Sequence, residues 1–286
     1  MKPVQPIATW SFAPIIHNKV ENDKMKLNHL LACTKASIES FNKYYSRPII
    51  YTDTLGKEVF SILTKDADYV VLYDDIHHTN VGSMTAESCP IEFWSYAKML
   101  SYKEQTKPFV HFDLDFIART NLQKDTDLSV VVQCSETVKP SNSAYVNESN
   151  KKDYILPEVF HKYNVEEVQS VNAGYLLISD MDFNKVYADT AIKLLKDNII
   201  NLEKMPNNLF PNCTAEQQVL GLLMKEYNIK YSTLIRETDR CVNPLFEHYT
   251  YQIKDTPKIA RRMQSLVAQV PLIDELTAYV NSRRTA

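Results

Sequence analysis

Glycine is scarce in this chain of 286 residues: Gly56, Gly82, Gly174 and Gly221 are the whole supply. Four scattered glycines cannot build a Gly-rich phosphate loop, which excludes the Walker-A and dinucleotide-binding fingerprints. Cysteine is sparse and odd in number, five residues spread along the chain. That pattern fits a reducing compartment better than a disulfide framework. No apolar run approaches the ~20 residues of a membrane span, and Met1-Lys2-Pro3-Val4-Gln5-Pro6 lacks the apolar centre of a signal peptide. An excess of one charge sign is missing too. The 32 Lys+Arg face 35 Asp+Glu, a net charge of -3, so charge makes no case for nucleic acid or an anionic membrane as the main partner. These absences together lead to the expectation of a soluble, cytoplasmic protein. Hydrophobic residues at 44% and charged residues at 23% suffice for a buried core and exclude wholesale disorder.

What is there is alternation. Ile7 to Trp10 reads as a strand, Asp23 to Tyr44 as an amphipathic helix with Leu27, Leu30, Leu31, Thr34, Ile38 and Phe41 on one face, and Pro48 to Thr52 as a buried strand. A short helix over Leu55 to Thr64 and a strand over Tyr69 to Tyr73 follow. Ser88 and Pro90 mark a helix start. Phe109 to Phe116, Ser129 to Gln133 and Val171 to Ile178 read as strands, and Lys185 to Lys196, Thr214 to Tyr227 and Lys258 to Val267 as helices. Glu136 to Gln169 is polar and irregular, as a lid or binding loop would be. The pattern predicts an α/β fold with a mostly parallel central sheet flanked by helices. Ligands bind such sheets at the carboxyl ends of the strands, so the residues after each strand are the ones to read.

Four segments carry candidate chemistry. In Phe109-Val110-His111-Phe112-Asp113-Leu114-Asp115-Phe116, strand alternation would turn Phe112, Leu114 and Phe116 inward and Asp113 and Asp115 together outward. Two carboxylates at a strand end make an oxygen-rich site suited to Mg²⁺ or Mn²⁺. The tripeptide Asp-x-Asp occurs four times, also at Asp66/Asp68, Asp125/Asp127 and Asp180/Asp182. Only Asp113/Asp115 closes a strongly apolar strand; the others read as turn or cap residues. The second segment is Asn172-Ala173-Gly174, where Gly in a strand marks close approach of a ligand or a neighbouring backbone. The third is Thr214-Ala215-Glu216-Gln217, with Thr214 read as a helix N-cap and Glu216 as its exposed first turn or a ligand contact. The fourth is His248 with Lys254, a metal ligand and a phosphate partner or else a structural His and a solvated Lys.

In this order the segments resemble the metal-dependent glycosyltransferases of the GT-A fold, and among them the glycogenin and lipopolysaccharide galactosyltransferase family, glycosyltransferase family 8. The matching pieces are Tyr96-Ala97-Lys98, His111-Phe112-Asp113-Leu114-Asp115, Asn172-Ala173-Gly174, Glu216-Gln217, and His248 with Lys254 at the family's His-to-Lys spacing. The chain departs from the family pattern at Tyr251, which replaces a Gly, at Asp255-Thr256, which replaces Pro-Trp, at Glu216, which replaces Asp, and at Lys98, where Arg is common.

The resemblance implies a single GT-A (Rossmann-like) domain over residues 1–286, with a nucleotide-binding half over 1–133 and an acceptor and donor-sugar half over 134–286. It implies a nucleotide-sugar donor, UDP-sugar favoured, and a glycan, lipid-linked or protein acceptor. Asp113, Asp115 and His248 would hold Mn²⁺ or Mg²⁺. Thr9, Trp10, Ser11 and Asp53 would meet the nucleoside. Lys98 and Lys254 would offset charge on the leaving diphosphate, and Asn172, Gly174, Glu216 and Gln217 would surround the sugar. That family retains the anomeric configuration. An inverting enzyme would instead need a carboxylate base, for which Glu136 and Glu216 are the candidates. Two other readings share these features: a sugar-binding protein that keeps the fold without turnover, and a haloacid-dehalogenase-type phosphatase, whose Asp-x-Asp motif normally lies near the domain start.

Overall fold

The computed structural model describes residues 4–12, 24–74, 76–78, 85, 87–122, 128–139, 141–207, 209–236, 242–249 and 257–283. The strands in chain order are β1 (Gln5–Trp10), β2 (Ile49–Thr52), β3 (Asp68–Val71), β4 (His77–His78), β5 (Cys89–Pro90), β6 (Phe109–Phe112), β7 (Phe116–Ala118), β8 (Val130–Glu136), β9 (Ser170–Ile178), β10 (Tyr231–Thr233), β11 (Val242–Asn243) and β12 (Phe246–His248). The helices are α1 (Lys24–Tyr44), α2 (Thr54–Leu63), α3 (Ser95–Lys103), α4 (Glu158–Lys162), α5 (Met181–Asp197), α6 (Leu209–Cys213), α7 (Val219–Glu226), α8 (Pro257–Val267) and α9 (Ile273–Ser282), and a π-helical turn, Thr214–Gln218, joins α6 to α7. The chain is mixed α/β, with mostly parallel central strands flanked by helices, as the alternation predicts. It falls into two compact units, each assembled from separated stretches: Met1–Asp74, Val110–Asp125 and Asp239–Ala286 form the first, Asp75–Phe109 and Thr126–Thr238 the second.

In the first unit the strands run in the order β6-β1-β2-β3, with β1–β2 and β2–β3 parallel. Helix α1 buries Leu27, Leu31, Thr34, Ile38 and Phe41 of the face its periodicity marks out, while Leu30 is half-buried. Phe41 stacks on Phe112 with ring centroids 3.7 Å apart, which seats α1 against β6. Helix α2 starts hard against the end of β2: a Cβ on Gly56 would lie 1.9 Å from Thr52 Oγ1, so a larger residue would have to push the Thr52 side chain aside. A small antiparallel sheet, β11-β12-β7, completes the unit.

The second unit carries β10-β8-β9, parallel between β10 and β8 and antiparallel between β8 and β9. All nine residues of β9 are buried. Asp180 caps α5 through its carboxylate and the Phe183 N–H, as its place after a strand suggests. Helix α7 crosses so close to the start of β9 that a Cβ on Gly221 would lie 2.2 Å from the Gln169 carbonyl oxygen.

In the first 120 residues two elements differ from the sequence expectation. Ser88 and Pro90 do not open a helix. Cys89 N donates to Ile76 O, Cys89–Pro90 pair with His77–His78, and α3 begins only at Ser95. Phe109 to Phe116 is not one strand either: β6 stops at Phe112, and Phe116 N donates to Asp113 O at 2.8 Å, closing a turn over Asp113-Leu114-Asp115. Asp suits such a turn. Continuous burial on both sides hides it from a periodicity analysis.

Candidate functional site

The turn after β6 is held from below by α1. Ser37 Oγ lies 2.6 Å from the Phe116 carbonyl oxygen and 3.3 Å from that of Asp113, and Ser40 Oγ accepts from Ala118 N at 3.0 Å. These helix hydroxyls satisfy backbone groups of the turn and of β7. Phe112, Leu114 and Phe116 are buried, as expected, but by turn geometry rather than strand alternation. Asp113 and Asp115 remain partly exposed, at 31% and 23% of their side chains.

His248 reaches the same place from the far end of the sequence. Strand β12 pairs antiparallel with β7, with Phe246 opposite Ala118, Glu247 opposite Ile117 and His248 opposite Phe116. Tyr249 N then donates to the Asp115 carbonyl oxygen at 3.0 Å. His248 Nε2 lies 3.3 Å from Asp115 Oδ1 and 3.9 Å from Asp113 Oδ2. One ligand atom from each of the three residues fits within 4.8 Å of the others. The imidazole is 4% exposed and sits against the Phe116 ring, centroids 5.6 Å apart, which fixes its tilt. Two carboxylate oxygens and one imidazole nitrogen form a donor set that suits a divalent ion of the Mn²⁺ type. The partly exposed carboxylates leave one side open.

The next residue inward is Glu247, which strand alternation turns to the other face. Its carboxylate accepts from Arg119 Nε at 3.0 Å and Arg262 Nε at 3.1 Å, and also from the Tyr249 hydroxyl. Burial pushes the Glu247 carboxyl up, but these three donors outweigh it and hold it below the usual carboxylate range. Burial, and then Glu247 itself, push the Tyr249 phenol above its ordinary range.

The residues expected at the nucleoside also lie in the first unit. Thr9 Oγ1 is 3.3 Å from His111 Nε2. Asp53 caps α2, accepting from Gly56 N at 2.7 Å through Oδ1, while Oδ2 accepts from Ser11 Oγ and Phe12 N. Its carboxylate therefore ties the chain after β1 to the start of α2. Trp10 is half-buried beside Phe12, and its indole N–H makes no hydrogen bond among the described residues. Lys254 lies outside the described residues.

The second unit gathers the remaining candidates. Lys98 Nζ and Glu216 Oε1 form a buried ion pair at 2.5 Å. Thr214 is not an N-cap: the helix already runs from Leu209, and Thr214–Gln218 is a π-helical turn within it. Glu216 is correspondingly buried, at 2% exposure, and is no solvated first turn. The Tyr187 hydroxyl donates to the Glu216 carbonyl oxygen at 2.6 Å, at a point where the widened turn disturbs the usual ladder. Asn172 donates through Nδ2 to Glu136 Oε1 at 3.1 Å and accepts from Gly174 N at 3.0 Å. The Tyr145 hydroxyl lies 2.7 Å from Glu136 Oε2 and 2.5 Å from the Gln217 side-chain amide. The Gln217 atom is its carbonyl Oε1, so both neighbours are acceptors, and the phenol's one proton serves Glu136 or Gln217 but not both at once. Burial, and next the Glu136 charge, drive the Tyr145 phenol well above its ordinary range and keep it protonated. Asn172, Glu136, Tyr145 and Gln217 thus form one chain of hydrogen bonds.

Sequence reasoning missed Tyr145, Glu247, Arg119 and Arg262. Tyr145 lies in the irregular stretch before β9, where no periodicity marks it. Glu247 adjoins His248, but a charged residue in a three-residue strand reads as solvent-facing until its arginine partners are located.

The fold and the site define an α/β protein with an Asp–Asp–His cluster where a sheet strand ends. The chain belongs to a family of unknown function, DUF6734, which it matches over residues 1–266. No curated protein matches it. Among solved structures it is similar to the galactosyltransferase LgtC in complex with donor and acceptor sugar analogues, at 11% identity over 93% of this chain and 96% of that one, TM-score 0.49. It is also similar to mouse xyloside xylosyltransferase 1 in its apo form, at 10% identity over 81% and 84%, TM-score 0.41. Among the described residues no helix is long and apolar enough to cross a membrane.

Proposed function

We propose that this chain is a GT-A-type glycosyltransferase that moves a sugar from a nucleotide-sugar donor, UDP-sugar favoured, to a hydroxyl-bearing acceptor with the help of a divalent cation. The observation that carries the reading is the convergence of Asp113, Asp115 and His248 at the end of β6, with one ligand atom from each inside 4.8 Å. Of the three Asp-x-Asp pairs in the described residues, this is the one that acquires a His partner; Asp125/Asp127 lies outside them. When bound, Mn²⁺ or Mg²⁺ there would neutralise the donor diphosphate and act as a Lewis acid toward the leaving group. The two carboxylates would hold the ion by charge, and the imidazole, packed against Phe116, would supply a nitrogen ligand. Asp53 holds Ser11 in place, which fixes the segment after β1, with Trp10 beside it, where the nucleoside is proposed to bind. Lys254 keeps its proposed role beside the diphosphate.

In the second unit, Asn172 and Gln217 supply amide groups for sugar hydroxyls, with Gly174 beside them and Glu216 oriented by Lys98. Retention of anomeric configuration is part of the proposal. Both carboxylates that an inverting mechanism would draw on are already engaged, Glu136 by Asn172 and Tyr145 and Glu216 by Lys98.

The test is a panel of nucleotide sugars incubated with Mn²⁺ or Mg²⁺, with and without excess EDTA, reading donor consumption and the anomer of any product by NMR. Cation-dependent consumption with a retained anomer is expected. Undiminished turnover in EDTA overturns the metal role, and an inverted product overturns the stereochemistry. Stabilisation by a free glycan alone, with no donor consumed, points to a sugar-binding protein instead; a nucleotide sugar at a hundred times its Kd would stabilise the fold by about 2.7 kcal/mol.

A further inference from the structure

Strand β12 is only three residues long, yet the side of it that His248 occupies decides whether the Asp113–Asp115–His248 cluster exists. A slip of one residue against β7 would turn His248 to the opposite face and bring Glu247 beside the two aspartates. So short a strand is weakly specified by its own ladder. Its middle residue is a carboxylate whose side chain is 3% exposed, a costly burial unless it is paired and hydrogen-bonded. The pairs are present, and they come from separate elements. Arg119 follows directly on β7, and its backbone N donates to Leu245 O at 2.9 Å, one residue before β12. The Arg119 guanidinium returns to Glu247 Oε1. Arg262 reaches Glu247 Oε2 from α8. Tyr249 donates its hydroxyl to the same carboxylate and its backbone N–H to Asp115. One side chain is thus joined to the end of β7, to α8 and to the residue bonded to Asp115. On the opposite face, Phe246 and His248 both lie against Phe116.

We propose that Glu247 is a positioning residue: clamped by Arg119, Arg262 and Tyr249, it locks β12 in register against β7 so that the His248 imidazole faces Asp113 and Asp115. Fixing a register is the best-attested use of a buried charged group. The proposal rests on the metal reading above for its consequence, though not for its geometry.

The test compares wild type with Glu247→Leu, Glu247→Gln and His248→Ala by two readouts. One is Mn²⁺ affinity from the EPR signal of the free ion. The other, on metal-free protein, is the NOE between the His248 and Phe116 rings. Arg119 and Arg262 are 44% and 40% exposed, so their charges can return to water and Glu247→Leu is expected to fold, as a thermal melt will show. If it does not, the triple variant Arg119→Met/Glu247→Leu/Arg262→Met, which removes the three charges together and strands none, is read in its place. In Glu247→Leu the NOE should vanish and Mn²⁺ affinity should fall at least about tenfold, as when outer partners of a metal ligand are lost. Glu247→Gln, which keeps a side-chain carbonyl for the arginines, should retain the NOE and bind more tightly than the Leu variant. A Glu247→Leu protein with the NOE and wild-type affinity overturns the proposal, while loss of Mn²⁺ binding in His248→Ala leaves the metal reading standing. If wild type binds no Mn²⁺, or His248→Ala binds as wild type does, the metal reading fails and the NOE alone decides the register claim.

Discussion

His248 Nε2 lies 3.3 Å from Asp115 Oδ1 because two short strands pair: β12 sets His248 opposite Phe116, and Tyr249 N donates to Asp115 O. The contact joins chain segments far apart in sequence, and it singles out this acidic pair among those in the described residues, outside which Asp125/Asp127 lies. Asp115→Asn should therefore lower Mn²⁺ affinity and turnover at least roughly a hundredfold, since even outer partners of metal ligands cost 10–100-fold. Asp68→Asn, at a surface pair with Arg47, should change either quantity little. Equal losses in both folded variants would withdraw the assignment.

The buried pair of Lys98 and Glu216 makes a separate stability prediction. Lys98→Met leaves Glu216 buried without that partner and should destabilise the protein by about 3–5 kcal/mol. Adding Glu216→Gln removes the stranded charge, so the double variant should regain at least half of the loss. Urea unfolding at neutral pH measures both. A single variant as stable as wild type, or a double variant no better than the single, contradicts the pairing.

Asp53 supports two elements with one carboxylate. Asp53→Ala removes the α2 cap and strands the N–H of Phe12, which is fully buried. The expected cost is about 2–4 kcal/mol, the cap and the unsatisfied donor together. Asp53→Asn keeps one acceptor and should cost less. A shift in the denaturation midpoint no larger than that of an ordinary surface substitution would argue against this linkage.

Gly221→Ala should destabilise, although alanine is the better helix former by about 1 kcal/mol. The new methyl would lie 2.2 Å from the Gln169 carbonyl oxygen, a backbone atom that cannot swing away. Overpacking of this kind costs about 1–3 kcal/mol, which outweighs or cancels the propensity gain. A thermal melt that shows the variant clearly more stable than wild type would mean that α7 can move off β9.

The elements were legible where burial follows a local period. The face of α1 that carries Leu27, Leu31, Ile38 and Phe41 is buried, and β9, read as a strand over Val171 to Ile178, is buried throughout. Asp180 announced its cap by standing between a strand and a helix. The same reasoning failed at Phe109 to Phe116, where a turn interrupts a stretch that is apolar on both sides, and at Thr214, where the residues before it already belong to the helix.

The amino-acid order alone determined the α/β class and the positions of most strands and helices, while the family resemblance named Asp113, Asp115 and His248 as residues to bring together. The order did so because alternation, caps and apolar runs are local signals, set by which side chains a strand or helix can bury. Only the tertiary structure decided that His248 meets Asp115, that Lys98 pairs with Glu216, that Tyr145 links Glu136 to Gln217, and that Glu247 is a buried anchor. Each of these contacts depends on which distant segments pack or pair, and that choice is made by the chain's long-range packing, which leaves no mark on the local pattern of either partner.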